Sequence, residues 1–227
     1  MTPTLLAVAH GTRNPAGPEV VRALLDRVRA LRPGLEVAEA YAEIAAPGLE
    51  EAAAACSGPV VAVPLMLARG YHALVDIPGR LPGDAVPARP LGPHSLLGAA
   101  LVERLGIGRH CDAVVLGAAG SSDQAGIDDV RIAARLLSRR LRRPVPYGFV
   151  AAGRPDLAQV VAELRRRGAR RVAVASYLLA PGFFHERLLD SGADLVSPPI
   201  GAHDAVARLV LRRYDEAAAR IGMPLAG

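Results

Sequence analysis

The sequence predicts an α/β fold of two similar lobes, each with a parallel sheet flanked by helices. Three observations carry this. Short apolar runs at residues 5–9 and 60–65 alternate with stretches whose apolar residues recur at helical spacing. Those runs are apolar on both faces, as strands buried on both sides of a parallel sheet are. The alternation then restarts near Ala113, so the chain reads as an internal repeat.

The elements follow in order. The first strand, residues 5–9, stops abruptly at His10-Gly11-Thr12-Arg13. Asn14-Pro15-Ala16-Gly17-Pro18 is turn chemistry, and Val20, Val21, Leu24, Leu25, Val28 and Leu31 then mark a helix that Pro33-Gly34 ends. A second strand spans residues 35–41 and leads to Glu43; Pro47 opens a short helix. The third strand, 60–65, is followed by Arg69-Gly70-Tyr71-His72 and Asp76-Ile77-Pro78. Pro87 and Pro90 confine residues 86–91 to an edge strand. A helix with Leu97, Leu101, Val102 and Leu105 inward closes the first half.

The second half repeats the plan. Its strands fall at 113–116, 145–150 and 171–177. Helices are marked by Val130, Ala133, Leu136 and Leu137, by Leu157, Val160, Val161 and Leu164, and by Val206, Leu209, Val210 and Tyr214. Gly182-Phe183-Phe184-His185 is read as a loop after the strand at 171–177. The lobes are expected to be residues 1–108, carrying the functional groups, and 109–227, a degenerate copy. Gly11 aligns with Gly120, Thr12 with Ser121 and Gly17 with Gly126, so Ala119 stands where His10 stands. Val61-Ala62-Val63 is set against Val172-Ala173-Val174, and His185 is read as the echo of His72.

Composition narrows the chemistry. The chain has 227 residues, is 51% hydrophobic, and contains no uncharged apolar run long enough for a membrane span. All 27 basic residues are arginine, which excludes Schiff-base, P-loop and kinase lysines. The net charge of +5 suits an anionic small molecule; with 4% aromatics, none interleaved in the basic runs, nucleic acid is not expected. The runs at 139–143 and 165–167 read as solvated helix ends. Cys56 and Cys111 lack the spacing of a structural zinc site or a disulfide framework, and a cytoplasmic protein is the simplest expectation.

His10 and His72 both follow strands of the first half, and in a parallel sheet those loops emerge on one edge. Two neutral imidazoles facing a cavity suit a divalent ion such as iron, cobalt, nickel or zinc and leave positions open for a substrate. Asp76 lies four residues after His72; if the stretch is helical, its carboxylate can fix the imidazole tautomer, and otherwise it is an exposed acid. Glu43 is a candidate supporting acid or extra ligand, or a plain strand-end glutamate. Arg13 and Arg69 each lie three residues from one of the histidines, as expected for grips on a polyanionic substrate. Ser121 and Ser122 precede a helix, where hydroxyls and backbone N–H groups receive a carboxylate or simply cap the helix. His94, His110 and His203 are expected at the surface, and His185 is expected not to be a ligand.

Ala9-His10-Gly11-Thr12-Arg13, Gly70-Tyr71-His72-Ala73-Leu74-Val75-Asp76-Ile77-Pro78 and 176–184 together resemble the sirohydrochlorin chelatase family, of the CbiX or SirB type, in its long two-lobed form. The resemblance covers nearly the whole chain. It implies a class II chelatase-like pair of lobes related by a pseudo-twofold axis with a cleft between them. It further implies insertion of a divalent metal into sirohydrochlorin, with iron giving sirohaem and cobalt serving cobalamin synthesis, and His10 and His72 holding the metal. The metal is then a substrate, Fe²⁺ or Co²⁺ with Ni²⁺ as an alternative, and no cofactor is permanently bound. The tetrapyrrole is the expected partner and a monomer the expected state, since the repeat supplies both lobes. Two rivals stand beside it. A histidine phosphatase would need an arginine directly before His10, where Ala9 stands. A non-catalytic metal or tetrapyrrole carrier would bind without turnover.

Overall fold

The computed structural model describes residues 2–106 and 111–221. The first half contains β1 (Thr4–Ala9), α1 (Ala16–Leu31), β2 (Val37–Tyr41), α2 (Leu49–Ala54) and β3 (Val60–Pro64). A π-helical segment (His72–Asp76) then runs into α3 (Ile77–Arg80), β4 (Val86–Pro87) and α4 (Ser95–Leu105). The second half contains β5 (Ala113–Ala118), α5 (Gln124–Leu141), β6 (Tyr147–Phe149), α6 (Leu157–Arg166), β7 (Val172–Tyr177), α7 (Phe183–Leu189), β8 (Leu195–Val196) and α8 (Asp204–Ala218).

Each half forms one four-stranded sheet, ordered β2-β1-β3-β4 and β6-β5-β7-β8, with every pairing parallel. The first strand of each half sits inside its sheet, with its chain neighbours on opposite sides. That arrangement opens a crevice at the strands' carboxyl ends. Alternation within β1 shows why both faces had to be apolar. Leu5, Ala7 and Ala9 face a large shared core, while Leu6 and Val8 face a smaller one with Leu49, Val60 and Ile77. Each fully buried aliphatic side chain of this kind contributes about 1.5–3 kcal/mol.

The halves exchange their last helices. α4 packs on α5 and β7 of the second half, and α8 packs on α1 and β3 of the first. The shared core therefore runs without a break through both sheets, from Leu5 and Val63 to Leu116 and Ala175. Arg32, the C-cap of α1, closes a paired contact with Asp215 of α8 at 2.5 and 2.9 Å, and Arg27 of α1 pairs with Asp204 of α8. The expected lobe boundary at 108/109, like His110, lies outside the described residues.

Three local expectations are corrected. Residues 183–185 open α7, where a loop was expected; Leu188, fully buried among Val115, Val172 and Val174, gives that helix its inward face. His94 and His203 are not idle surface residues. Each caps a helix: Nδ1 accepts the N–H of Leu96 at 3.1 Å and of Ala205 at 3.0 Å, so both exchanged helices start on a histidine. The repeat also aligns differently. Leu5 pairs with Val61, and its counterpart Val114 pairs with Ala173, one residue later than the sequence alignment placed it. Carried forward, this register sets Phe184, not His185, in the place of His72. His185 turns instead to the Ser197 carbonyl at 3.2 Å.

Candidate metal centre

The loops leaving β1, β2 and β3 converge at one sheet edge. One ligand atom each from His10, Glu43 and His72 falls within 4.8 Å of the others. The two imidazoles meet edge to face, with centroids 4.6 Å apart, and His72 Nε2 lies 3.9 Å from a Glu43 carboxylate oxygen. His10 and Glu43 are exposed and His72 is half-buried, so the cluster opens to solvent on one side.

The backbone holds this geometry. The Ala42 N–H donates to Ala9 O at 2.9 Å and the Glu43 N–H to His10 O at 3.0 Å, which carries the β1–β2 pairing past the strand ends. Gly11 makes the approach possible. It has φ +96°, and a Cβ there would lie 1.9 Å from the Glu43 carbonyl oxygen. Ile44, the next residue after Glu43, adopts φ +68°, a conformation that a β-branched side chain takes at a cost. Its side chain is exposed nonetheless.

Both histidines present the same nitrogen. His72 Nδ1 lies 3.0 Å from Asp76 Oδ2, and His10 Nδ1 lies 3.2 Å from the Gly11 carbonyl. Nδ1–H therefore serves as donor in each ring and Nε2 keeps its lone pair for a metal. The π-helical winding of residues 72–76 brings Asp76 within hydrogen-bond reach of its histidine. Behind Asp76 stands Arg80. Its guanidinium donates to Asp76 at 3.4 Å, to the Ala42 carbonyl at 2.8 Å and to both Glu50 oxygens at 2.6 and 2.8 Å. Arg80's hydrogen bond holds the Glu50 carboxyl down at about 2. One cation thus ties the support of His72 to the strand end that carries Glu43.

The remaining expected residues fall in different places. Arg13 is exposed beside His10. Arg69 is not a free grip on a substrate. Its Nε and Nη2 donate to the buried Asp129 carboxylate at 2.8–3.1 Å, and its backbone N–H donates there at 2.7 Å. Ser121 Oγ accepts the Asp123 N–H at 3.0 Å, and the cap of α5 is Asp123, so neither serine performs that role. Ser122 remains exposed. The second half closes over the site's flank: a Cβ on Gly182 would lie 2.9 Å from Thr12 Oγ1, and Tyr177 Oη donates to the Leu67 carbonyl at 2.7 Å. Arg80 and Asp129 were missed from the sequence. Asp129 did leave a signal, as a carboxylate inside the apolar stripe of Gly126, Val130, Ala133 and Leu137.

Comparisons with known proteins bear on the family and the fold. The family model described as CbiX matches residues 4–107 and again 113–217. A sirohydrochlorin ferrochelatase from Priestia megaterium is 27% identical over 91% of this chain and 87% of its own. A sirohydrochlorin cobaltochelatase from Methanosarcina acetivorans is 32% identical over 44% of this chain and 92% of its own, and so is about half as long. Among solved structures, SirB from Bacillus subtilis with Fe³⁺ superposes with a TM-score of 0.80 at 26% identity, covering 97% of both chains. A CbiX structure described as the terminal enzyme for siroheme biosynthesis in denitrifying bacteria shares the fold, with a TM-score of 0.69 at 21% identity, covering 94% of this chain and 99% of that one. With two matches that together span nearly all of its length, the chain belongs to the CbiX family.

Proposed function

We propose that this chain inserts a divalent metal ion, Fe²⁺ or Co²⁺, into sirohydrochlorin, and that His10, His72 and Glu43 hold the ion before transfer. The observation that carries this reading is the convergence of those three ligand groups within 4.8 Å at an open sheet edge. Two imidazoles and one carboxylate suit a borderline divalent ion, and the open side leaves positions for the macrocycle nitrogens. The ion is a substrate that passes through the site. Relatives named for ferrochelatase and cobaltochelatase activity support both metals; Ni²⁺ is a third arm for the assay.

Insertion exchanges one divalent cation for two pyrrole N–H protons. His10 and His72 regain free Nε2 lone pairs as the ion leaves them, and Glu43 regains a free carboxylate oxygen. All three are then placed to accept those protons. The surroundings suit a flat conjugated ligand bearing carboxylates. Tyr71, Leu74, Val75 and Ile44 are large apolar side chains exposed next to the ligands, and Phe183 and Phe184 are exposed at the start of α7, beside the contact of Gly182 with Thr12. Arg13 and Ser122 stand free to meet carboxylates. Ile44 bears a conformational cost at φ +68° while its side chain stays exposed beside the ligands, which supports a role in contacting substrate. Both lobes lie in one chain, which supports a monomeric working unit. The free cysteines, Cys56 and Cys111, suit a reducing compartment, and we place the protein in the cytoplasm.

The test is metallation followed by absorbance, with purified protein, sirohydrochlorin and Fe²⁺, Co²⁺ or Ni²⁺ in parallel. The reading predicts a rate above the uncatalysed control for iron or cobalt, lost in His10→Ala and His72→Ala. Full rates in both variants would remove the histidines from the mechanism. Tight metal binding without turnover would make the protein a carrier.

A further inference from the structure

We infer that Asp129, on α5 of the second half, is a positioning residue for the metal centre of the first half; this rests on the reading of His10, His72 and Glu43 as the metal site. Asp129 is buried, with its side chain only 2% exposed. Its two carboxylate oxygens take three contacts from the Arg69 guanidinium and a fourth, at 2.7 Å, from the Arg69 backbone N–H. Residue 69 stands at the head of the segment that becomes the π-helical turn of His72. A charge-assisted bond to the backbone fixes where that turn begins, which a side-chain pair alone would not do.

The neighbouring contacts act on the same segment. The Gly126 backbone, one helical turn before Asp129, approaches so closely that a Cβ there would lie 2.7 Å from the Arg69 carbonyl oxygen. Tyr177, on β7, holds the Leu67 carbonyl at 2.7 Å. Residues 67–69 are thus gripped from the second half at both ends. From the far end of the turn, Arg80 holds Asp76.

The repeat supplies an internal control. By the strand register and the Gly17–Gly126 correspondence, Arg69 matches Pro181 and Asp129 matches Val20. A proline and a valine cannot form this tie. The cross-lobe ion pair therefore occurs only on the side where the metal ligands occur. The other lobe-to-lobe pairs that join α1 and its C-cap to α8, Arg32–Asp215 and Arg27–Asp204, involve no residue of the three ligand loops. The second half, without ligands of its own, serves as the fixture that holds those of the first.

The experiment is Co²⁺ titration of the intact protein, read by the visible absorption of the bound ion, for wild type, Asp129→Asn, Arg69→Gln, Asp215→Asn and His10→Ala. Thermal melting is recorded for each. Asp129→Asn is expected to weaken Co²⁺ binding about tenfold, the scale for losing a partner behind a ligand, and to alter the bound-ion spectrum. Arg69→Gln is expected to cost less, because the backbone bond to Asp129 survives. It also keeps the test decisive if Asp129→Asn does not fold. Asp215→Asn, which breaks a lobe-to-lobe ion pair of the same kind, is expected to lower the melting temperature without changing affinity or spectrum. Wild-type affinity and spectrum in both Asp129→Asn and Arg69→Gln, with binding lost in His10→Ala, would overturn the inference alone. Wild-type binding in His10→Ala would overturn the metal-site reading, and the inference with it.

Discussion

The two halves share one plan but differ at the three positions proposed to hold the metal. After β1 and β5, both halves turn on a glycine at positive φ, Gly11 and Gly120. Each glycine lies where a Cβ would strike a carbonyl oxygen in the loop after the next strand, that of Glu43 or of Ala152. The scaffold of a strand-end site is therefore intact in both lobes. Its side chains are not. His10 matches Ala119; Glu43, whose N–H donates to His10 O, matches Ala151, whose N–H donates to Ala119 O; and the strand register sets Phe184 in the place of His72. The fold is kept by glycines and packing, while the proposed ligands are three side chains that packing does not require.

The largest effect that would sharpen this contrast comes from transplanting the ligands. A triple variant, Ala119→His with Ala151→Glu and Phe184→His, is expected to raise Co²⁺ stoichiometry from one to two per chain, measured by calorimetry. The second ion should bind about 10–100-fold more weakly, because the graft lacks the outer partner that Asp76 gives His72. No second ion at millimolar Co²⁺ would show that the degenerate lobe has lost more than its ligands. Next in size, Asp76→Asn in the first half is expected to weaken Co²⁺ binding about tenfold. An unchanged affinity would remove Asp76 from the support of His72.

Ile44, strained in the first half at φ +68°, makes a finer test, with two effects of opposite sign. Ile44→Gly is expected to relieve a backbone cost of about 1 kcal/mol and so raise the melting temperature by roughly 2–4 °C. The same variant should raise KM for sirohydrochlorin while leaving Co²⁺ affinity alone. A KM equal to wild type would show Ile44 to be a strained bystander.

The smallest effect separates the helix caps. Burial, reinforced by Arg213 and Arg212, lowers the His94 pKa from its ordinary 6.5. A lowered folded value means that the unfolded chain binds the proton more readily. The cap's contribution is complete above about pH 6.5, the unfolded value, and fades as pH falls toward the folded one. A cap of this kind is worth about 1 kcal/mol. Melting curves from pH 7.5 to 5 should therefore fall slightly more steeply for wild type than for His94→Asn, whose amide caps without titrating. Parallel curves would exclude the histidine.

Much of this was legible in the sequence, and the exceptions have physical causes. Continuous apolar runs disclosed the parallel strands, and the repeated glycines disclosed the two halves. His10 and His72 stood out because polar residues ending buried strands of one sheet are carried to one edge. The exchange of α4 and α8 was not legible, because an apolar helix face does not name the sheet it will cover. Arg69 was misread for a related reason. Its partner Asp129 is 60 residues away in sequence, and only the folded chain brings that carboxylate beneath it. The one-residue slip in the repeat came from matching Val-Ala-Val to Val-Ala-Val, when the pairing with β1 and β5 sets the register. The caps at His94 and His203 escaped notice because histidine is not among the usual capping residues.

The central claim is that one lobe holds the metal and the other holds the lobe in place. Calorimetric titration of Co²⁺ into wild type, His10→Ala and His72→Ala tests it most directly. The account predicts one ion per wild-type chain, with affinity reduced by more than about 100-fold in each variant, beyond the range for losing an outer partner. Two ions per wild-type chain, or wild-type affinity in either variant, would contradict it.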